Sequence, residues 1–199
     1  MKEYNYLKIK KEVEKIIKTA CCSKDNFFSC EVLGHVLLAR KYSLVLGKKL
    51  KADLEVLELA ALLHDYANIK NYQLYDDEHH IFGAKFAGEI LEKTNLPLEK
   101  IRHIQECIYV HRGRVAKRKI STEAKILASA DAMSHITNLP SMFFLVYNVH
   151  KYSIYRGCEF LEGKIRRSWK KIMPIGKKIV KDDYDFALKI LRRGKITYK

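Results

Sequence analysis

The 199-residue chain has only three prolines and nine glycines, so little in it interrupts long regular elements. It has no Cys-x-x-Cys pair. Its five cysteines, Cys21, Cys22, Cys30, Cys107 and Cys158, are odd in number and irregularly spaced. That pattern argues against a disulfide framework and a thiolate zinc site, and for a reducing interior. Long apolar runs are also missing: the best stretch, residues 139–149, is broken by Pro140, Ser141 and Asn148 and is too short for a membrane crossing. The first residues, Met1 to Tyr6, lack the apolar region of a signal peptide, and the expectation is a cytoplasmic protein with no membrane partner. Acidic residues are scarce beside basic ones, 23 against 38, for a formal net charge of +15. Such an excess either coats solvated helix faces with lysine or favours anionic partners such as phosphorylated metabolites or nucleic acid.

What is present is enough apolar mass for a core. Hydrophobic residues make up 48% and charged residues 31%, which excludes a disordered chain, a collagen-like repeat and a disulfide-stapled miniprotein. The length suits one domain spanning residues 1–199. The periodicity is helical nearly throughout. Apolar positions at 9, 13, 16, 17 and 20 mark one face of a first helix, and residues 27–46 predict a second that stops near Gly47. Asp53 caps a third, residues 54–65, whose run Leu59-Ala60-Ala61-Leu62-Leu63 is apolar on every side and therefore central. Residues 66–78 read as a loop whose acids Asp76, Asp77 and Glu78 precede a helix from His79 to Lys93. Further helices are predicted from Pro97 to Arg112, from a Ser121 or Thr122 cap to Ile136, and near residues 178–191, with a basic turn at 113–119. No alternating run carries hairpin chemistry. The chain is expected to be all-α.

Three apolar helices contain ionisable side chains that need partners. His35 sits in Val32-Leu33-Gly34-His35-Val36-Leu37, His64 and Asp65 end the most apolar helix, and Asp131 lies in Ala128-Ser129-Ala130-Asp131-Ala132. Taken singly, each has an ordinary explanation as a satisfied core histidine, a cap or an ion-pair member. Together, two imidazoles and two carboxylates on buried helices are a donor set suited to a divalent metal. His79 and His80 open the helix after the loop, and His111 ends the next one after Cys107-Ile108-Tyr109-Val110. His103 lies eight residues before His111, about 80° around the helix, so one narrow site does not use both. His103, His135 and His150 read as structural or surface residues, His135 being the leading exception.

This order of motifs resembles the HD superfamily of metal-dependent phosphohydrolases. The resemblance is carried by His35, by Ala61-Leu62-Leu63-His64-Asp65, by Glu78-His79-His80-Ile81-Phe82-Gly83-Ala84, by Ile108-Tyr109-Val110-His111-Arg112 and by Ala128-Ser129-Ala130-Asp131-Ala132. It covers about residues 28–137 and leaves a helical extension, about 138–199, without an assigned role. It implies an all-helical HD-type domain with a metal site buried between helices. His35, His64, Asp65 and Asp131 would be the core ligands, with Asp65 the catalytic bridge between two ions. His79 and His111 would complete a second position. His79 stands four residues before Gly83, the spacing associated with binuclear members, and His80 is its alternative.

The implied activity is hydrolysis of a phosphoester or phosphoanhydride in a small phosphorylated substrate, a nucleotide in the first instance, by a metal-activated hydroxide. The ions would be drawn from Mn, Fe, Ni, Co or Mg. Two ions about 3.5–4 Å apart hold the hydroxide and clamp phosphate oxygens, so the rest is positioning and charge neutralisation. Arg112, Lys70, Lys85 and Arg114 are the basic candidates for phosphate, with Arg112 first because a guanidinium binds phosphate bidentately. Tyr66, Asn68, Tyr72 and Tyr75 either pack on a base or ribose or close the core. Two other functions fit parts of the pattern: a di-iron oxygenase on the same ligands, and a non-enzymatic basic nucleic-acid-binding domain, for which no reader motif is present. The Lys164-Ile165-Arg166-Arg167-Ser168-Trp169-Lys170-Lys171 segment reads as an exposed face, a lid or a dimer surface.

Overall fold

The computed structural model describes residues 4–112 and 120–198, and among them there are helices and turns but no strand. Helix α1 (Tyr6–Cys21) is capped by the Asn5 side chain on the Lys8 N–H, and buries Ile9, Val13, Ile17 and Cys21, one residue per turn. α2 (Val32–Leu50) begins five residues later than its apolar pattern suggests. The reason is the segment before it: Asn26 donates to the carbonyls of Cys21 and Ser29, and Ser29 takes φ 56°, so the backbone turns instead of coiling. A Cys22–Cys30 disulfide closes the same turn. That bridge corrects the expectation of thiols only, although Cys21, Cys107 and Cys158 are free and buried.

Gly47 does not end α2. A Cβ there would lie 2.5 Å from Leu57 Cδ1 and 2.9 Å from Leu54 Cδ2, so the glycine is where α3 (Leu54–Leu63) crosses closely. α2 ends instead at Lys51, whose left-handed φ of 53° lets its N–H reach the Gly47 carbonyl. Asp53 caps α3 as expected, accepting from the Glu55 and Val56 N–H groups, and Val56 through Leu63 are all buried. Each such leucine contributes about 1.5–3 kcal/mol of burial, which places α3 at the centre of the core.

The stretch read as a loop is mostly helical: α4 (Tyr66–Lys70), α5 (Tyr72–Tyr75) and a 3-10 turn (Asp76–Glu78). Asn71 is why it breaks in the middle, since its extended backbone ends α4 and its side chain caps α5 at the Leu74 N–H. α6 (His79–Leu91) and α7 (Leu98–Val110) pair antiparallel, and α8 (Thr122–Thr137), capped by Ser121, packs against α2, α3 and α7. Then come α9 (Leu139–Phe143), a π-helical turn (Phe144–Val149), α10 (Ile154–Lys171), α11 (Pro174–Ile179) and α12 (Lys181–Thr197). The last two replace the single final helix expected near 178–191, with the break at Val180.

Two apolar clusters result. One joins α1, α3, α6 and α7; the other joins α8, α10 and α12, with Leu57 of α3 and Leu46 of α2 reaching into it. The C-terminal helices α10 and α12 therefore pack on α8, which bears Asp131. None of the described helices is long and apolar enough to cross a membrane.

Candidate metal centre

His64 and Asp65 leave the end of α3, so the most buried helix delivers both to the middle of the molecule. Gly83 makes room beside them. A Cβ at that position would sit 3.1 Å from the His64 carbonyl oxygen and 3.3 Å from Ile108 Cγ2, so its absence lets α6 close on α3 and α7. That approach carries His79, one turn before Gly83, toward Asp65. α2 supplies His35, α7 ends at His111, and α8 supplies Asp131.

The six side chains form two adjoining groups, His35 with His64 and Asp131, and Asp65 with His79 and His111. Within each group the donor atoms lie within 4.8 Å of one another. The hydrogen bonds on the far side of each ring set the tautomers. Nδ1–H of His64 donates to the Ala61 carbonyl at 2.8 Å, that of His79 to Asp76 at 2.7 Å and that of His111 to Ile108 at 2.5 Å. The Ser134 hydroxyl donates to the Asp131 carbonyl at 2.6 Å, and accepts from His35 Nδ1–H at 2.8 Å. All four Nε2 atoms consequently face inward, the arrangement in which an outer hydrogen bond orients an imidazole for a metal. Nε2 of His35 lies 3.1 Å from Nε2 of His64. Without a metal a proton on His64, whose pKa is raised, closes that contact; a divalent ion would take the proton's place, so the donor set fits a divalent ion.

Asp65 faces both groups. Its Oδ2 is 3.2 Å from His35 Nε2 and 3.4 Å from His64 Nε2, whereas Oδ1 is 3.8 Å from His79 and 4.0 Å from His111. Burial opposes ionisation of both aspartates, but His64 and His35 beside Asp65, and Lys171 and His135 beside Asp131, hold both carboxyls well below their usual range. Against its own burial, His64 is raised to about 9 by Asp65. His111 is driven down to about 3 by burial and by the charge of His64, so its ring is a neutral donor. His80 is buried but turned away: its ring meets that of Tyr109, and it belongs to neither group.

The groups open into a cavity of about 440 Å³. Arg112 lines it and donates to the carbonyls of Asp76 and Asp77, which ties the end of α7 to the 3-10 turn before His79. The structure does not bring Lys70 or Lys85 there. Lys70 projects over the Phe86 ring at 4.4 Å, and Lys85 lies on the outer face of α6, 3.9 Å from Glu89. Both are exposed, because the two short helices and the inner face of α6 use the intervening positions for packing. Arg114 lies outside the described residues, as does the basic turn at 113–119. Of the loop residues, Asn68 and Tyr72 line the cavity, and Tyr66 and Tyr75 pack against Phe86 instead.

Among the titratable lining residues, His150, Lys164 and Lys171 have no role in the metal-site pattern of the sequence, and His135 stands there only as the leading exception. His135 stacks on His35 with centroids 4.9 Å apart and places Nε2 3.6 Å from Asp131 Oδ1. Its signal in the sequence is the i,i+4 spacing to Asp131 on one helix. Lys171 reaches Asp131 Oδ2 at 3.0 Å from α10, and no short-range pattern announces that contact.

The HD domain family model matches residues 32–136, over half the chain and all six inward-facing side chains, and the protein belongs to that family. No curated protein matches it. Several solved structures share its fold. A predicted HD superfamily hydrolase from an uncultured Thermotogales bacterium is 20% identical, with TM-score 0.65 over 95% of this chain and 92% of that one. YpgQ of Bacillus subtilis, in complex with ADP, is 17% identical, with TM-score 0.71 over 94% of each chain. Lin1889 of Listeria innocua is 19% identical, with TM-score 0.70 over 95% of this chain and 94% of that one.

Proposed function

We propose that this HD-domain protein is a metal-dependent phosphohydrolase acting on a nucleotide. The observation that carries the reading is the convergence of four Nε2 atoms on the carboxylates of Asp65 and Asp131, each imidazole held by its own outer hydrogen bond. His35, His64 and Asp131 would hold one divalent ion, His79 and His111 a second, and Asp65 would serve both, one oxygen to each side. A bound divalent ion lowers the pKa of coordinated water toward about 7 and neutralises charge on a phosphoryl oxygen.

The chain's own residues do the remaining work. Asp65 is the catalytic residue, an ionised carboxylate between the two groups that orients the attacking oxygen. His111 keeps a neutral face toward it, and His79 presents Nε2 to the same carboxylate oxygen. Arg112 stands at the cavity wall with its Nη1 bound to two backbone carbonyls, and is the guanidinium that would meet a phosphate. Phe28 and Tyr72, in edge-on contact at 4.9 Å, supply an aromatic side to the cavity that suits a base. The ADP bound by YpgQ, a protein of the same fold, supports a nucleotide here.

The test is phosphate release from a panel of nucleoside mono-, di- and triphosphates and a generic phosphodiester, with Mn, Co, Ni, Fe or Mg added singly. Metal-dependent turnover that disappears in Asp65→Asn is the expected result. Protein that carries its full complement of metal and cleaves none of the panel overturns the reading. Oxygen uptake by an iron-loaded sample would assign the same ligands to oxygenase chemistry instead.

A further inference from the structure

Helix α10 lies outside the family-matched segment, yet one stripe of it lines the cavity: Phe160, Lys164 and Lys171. Residues 164 and 171 are seven apart, about 20° short of two full turns, so both lysines leave the same face about 10 Å apart along the axis. Phe160 is one turn further toward the N-terminus of α10. The stripe has a direction. Lys171 binds Asp131 at the metal centre, Ser168 meets His135 Nδ1 at 3.4 Å, and Phe160, 36% exposed, sits at the mouth. Lys164 is therefore the cation between centre and mouth.

The two lysines differ in what they touch. Lys171 is committed to a carboxylate, whereas Lys164 makes no ion pair with a described residue. The residue is half-buried and lines the cavity, and burial, with the charges of Lys171 and Arg167, outweighs the opposing pull of Asp131 and Asp65 and lowers its pKa below the usual lysine value. A partly desolvated ammonium with no carboxylate in ion-pair contact is costly, and an anion arriving in the cavity relieves that cost. The metal centre takes the reacting phosphate, so the anion at Lys164 is another one. Beyond it, Phe160 and His150, 6.1 Å apart, and Phe28 with Tyr72 make an aromatic mouth.

We propose that Lys164 is the anchor for a second, non-reacting phosphate of the substrate, selecting compounds with at least two phosphates and an aromatic group over monophosphates. This rests on the nucleotide phosphohydrolase reading above. The reacting phosphate lies at the His/Asp groups, the next phosphate at Lys164, and the base against the aromatic side chains at the mouth. Lys164 is a binding and positioning residue; it takes no part in bond breaking.

The experiment is calorimetric binding to the Mn-loaded full chain of two probes, AMP and the non-hydrolysable α,β-methylene analogue of ADP, for wild type, Lys164→Met and Lys164→Arg. Thermal melts confirm that the variants are folded. The Met variant is expected to weaken the diphosphate analogue about tenfold or more and AMP less than about twofold, the size of one charge-assisted contact. The Arg variant should recover most of the loss. In turnover with a diphosphate substrate, the Met effect should fall on KM, with kcat within about threefold of wild type. Equal affinity of wild type and Met variant for the analogue overturns the role of Lys164 and leaves the hydrolase reading standing. So does an equal loss for both probes, which places Lys164 at the only phosphate. Wild type that binds neither probe sinks the nucleotide reading and this inference with it.

Discussion

His35 and His64 point Nε2 at Nε2 across 3.1 Å from two different helices, each ring held from behind, His35 by Ser134 and His64 by the Ala61 carbonyl. Neither ring can turn away without giving up that bond. The pair is thus preorganised with its two Nε2 atoms in contact, and a divalent ion that takes the place of the proton on His64 stabilises the fold. At metal concentrations a hundredfold above Kd, one ion adds about 2.7 kcal/mol to unfolding stability. The melting temperature should fall on dialysis against chelator and recover on adding Mn. Elemental analysis should find close to two ions per chain, falling toward one in His111→Ala. One ion in both proteins would remove His79 and His111 from the ligand set.

Ser134 offers a separate check, because it contacts His35 and no donor atom of either group directly. Its hydroxyl spans His35 Nδ1 and the Asp131 carbonyl, one turn from Asp131 itself. Replacing it by alanine leaves His35 free to adopt the other tautomer. Outer partners of this kind are worth about 10–100-fold in metal affinity, so Ser134→Ala should weaken metal binding by that much. A chelator-competition titration measures it. Unchanged affinity would mean that α2 packing alone holds the His35 ring.

Much of this centre was legible in the sequence for one physical reason: an ionisable side chain on a helix that is apolar all round has nowhere to go but inward. His35, His64, Asp65 and Asp131 all met that criterion, and the order of motifs added His79 and His111. The lysines did not separate themselves in the same way. Lys164 and Lys171 sit on an amphipathic helix whose cationic positions look like a solvated face, and only the docking of α10 on α8 turns that stripe toward Asp131. Lys70 and Lys85 were near the right histidines in sequence, but a helix turns 100° per residue, and both emerge outward. The start of α2 was missed because Asn26 and the left-handed Ser29 override an apolar pattern that continues through Phe27 and Phe28.

Asp53 connects folding to the site, since it caps the helix whose far end presents His64 and Asp65. Burial pushes its carboxyl up, but Lys100 at 2.6 Å and the Val56 and Glu55 N–H groups outweigh this and hold its pKa below the usual value of 3.8. A depressed folded-state pKa gives stability that is present above the unfolded value and disappears as pH falls through the folded one. Asp53→Ala should therefore cost about 0.5–2 kcal/mol at neutral pH, the range for a lost N-cap, with the difference from wild type shrinking in acid below the folded pKa. Urea denaturation of the two proteins across that range decides it. A difference that grows toward acid would show that the carboxylate is not what holds the end of α3.

The cysteines make the remaining prediction. Cys22 and Cys30 are bonded across a sequence separation of eight, and the closed segment carries Phe28, which lines the cavity, and Phe27, which stacks on Tyr72 at 4.6 Å. Cys21, next to the bridge, is buried and packed in the α1 face, with its thiol pushed up to about 12 by burial, so it is a poor competitor for the pairing. Protein denatured without reductant should show three reactive thiols, and five after reduction. Closing so short a loop restricts the unfolded chain by about 2–3 kcal/mol, so reduction should lower stability by that order. It should also loosen Phe27 and Phe28, raising KM for an aromatic substrate more than it changes kcat. Five thiols in protein purified under air would overturn the bridge and leave Asn26, through its bonds to the Cys21 and Ser29 carbonyls, as what shapes this turn.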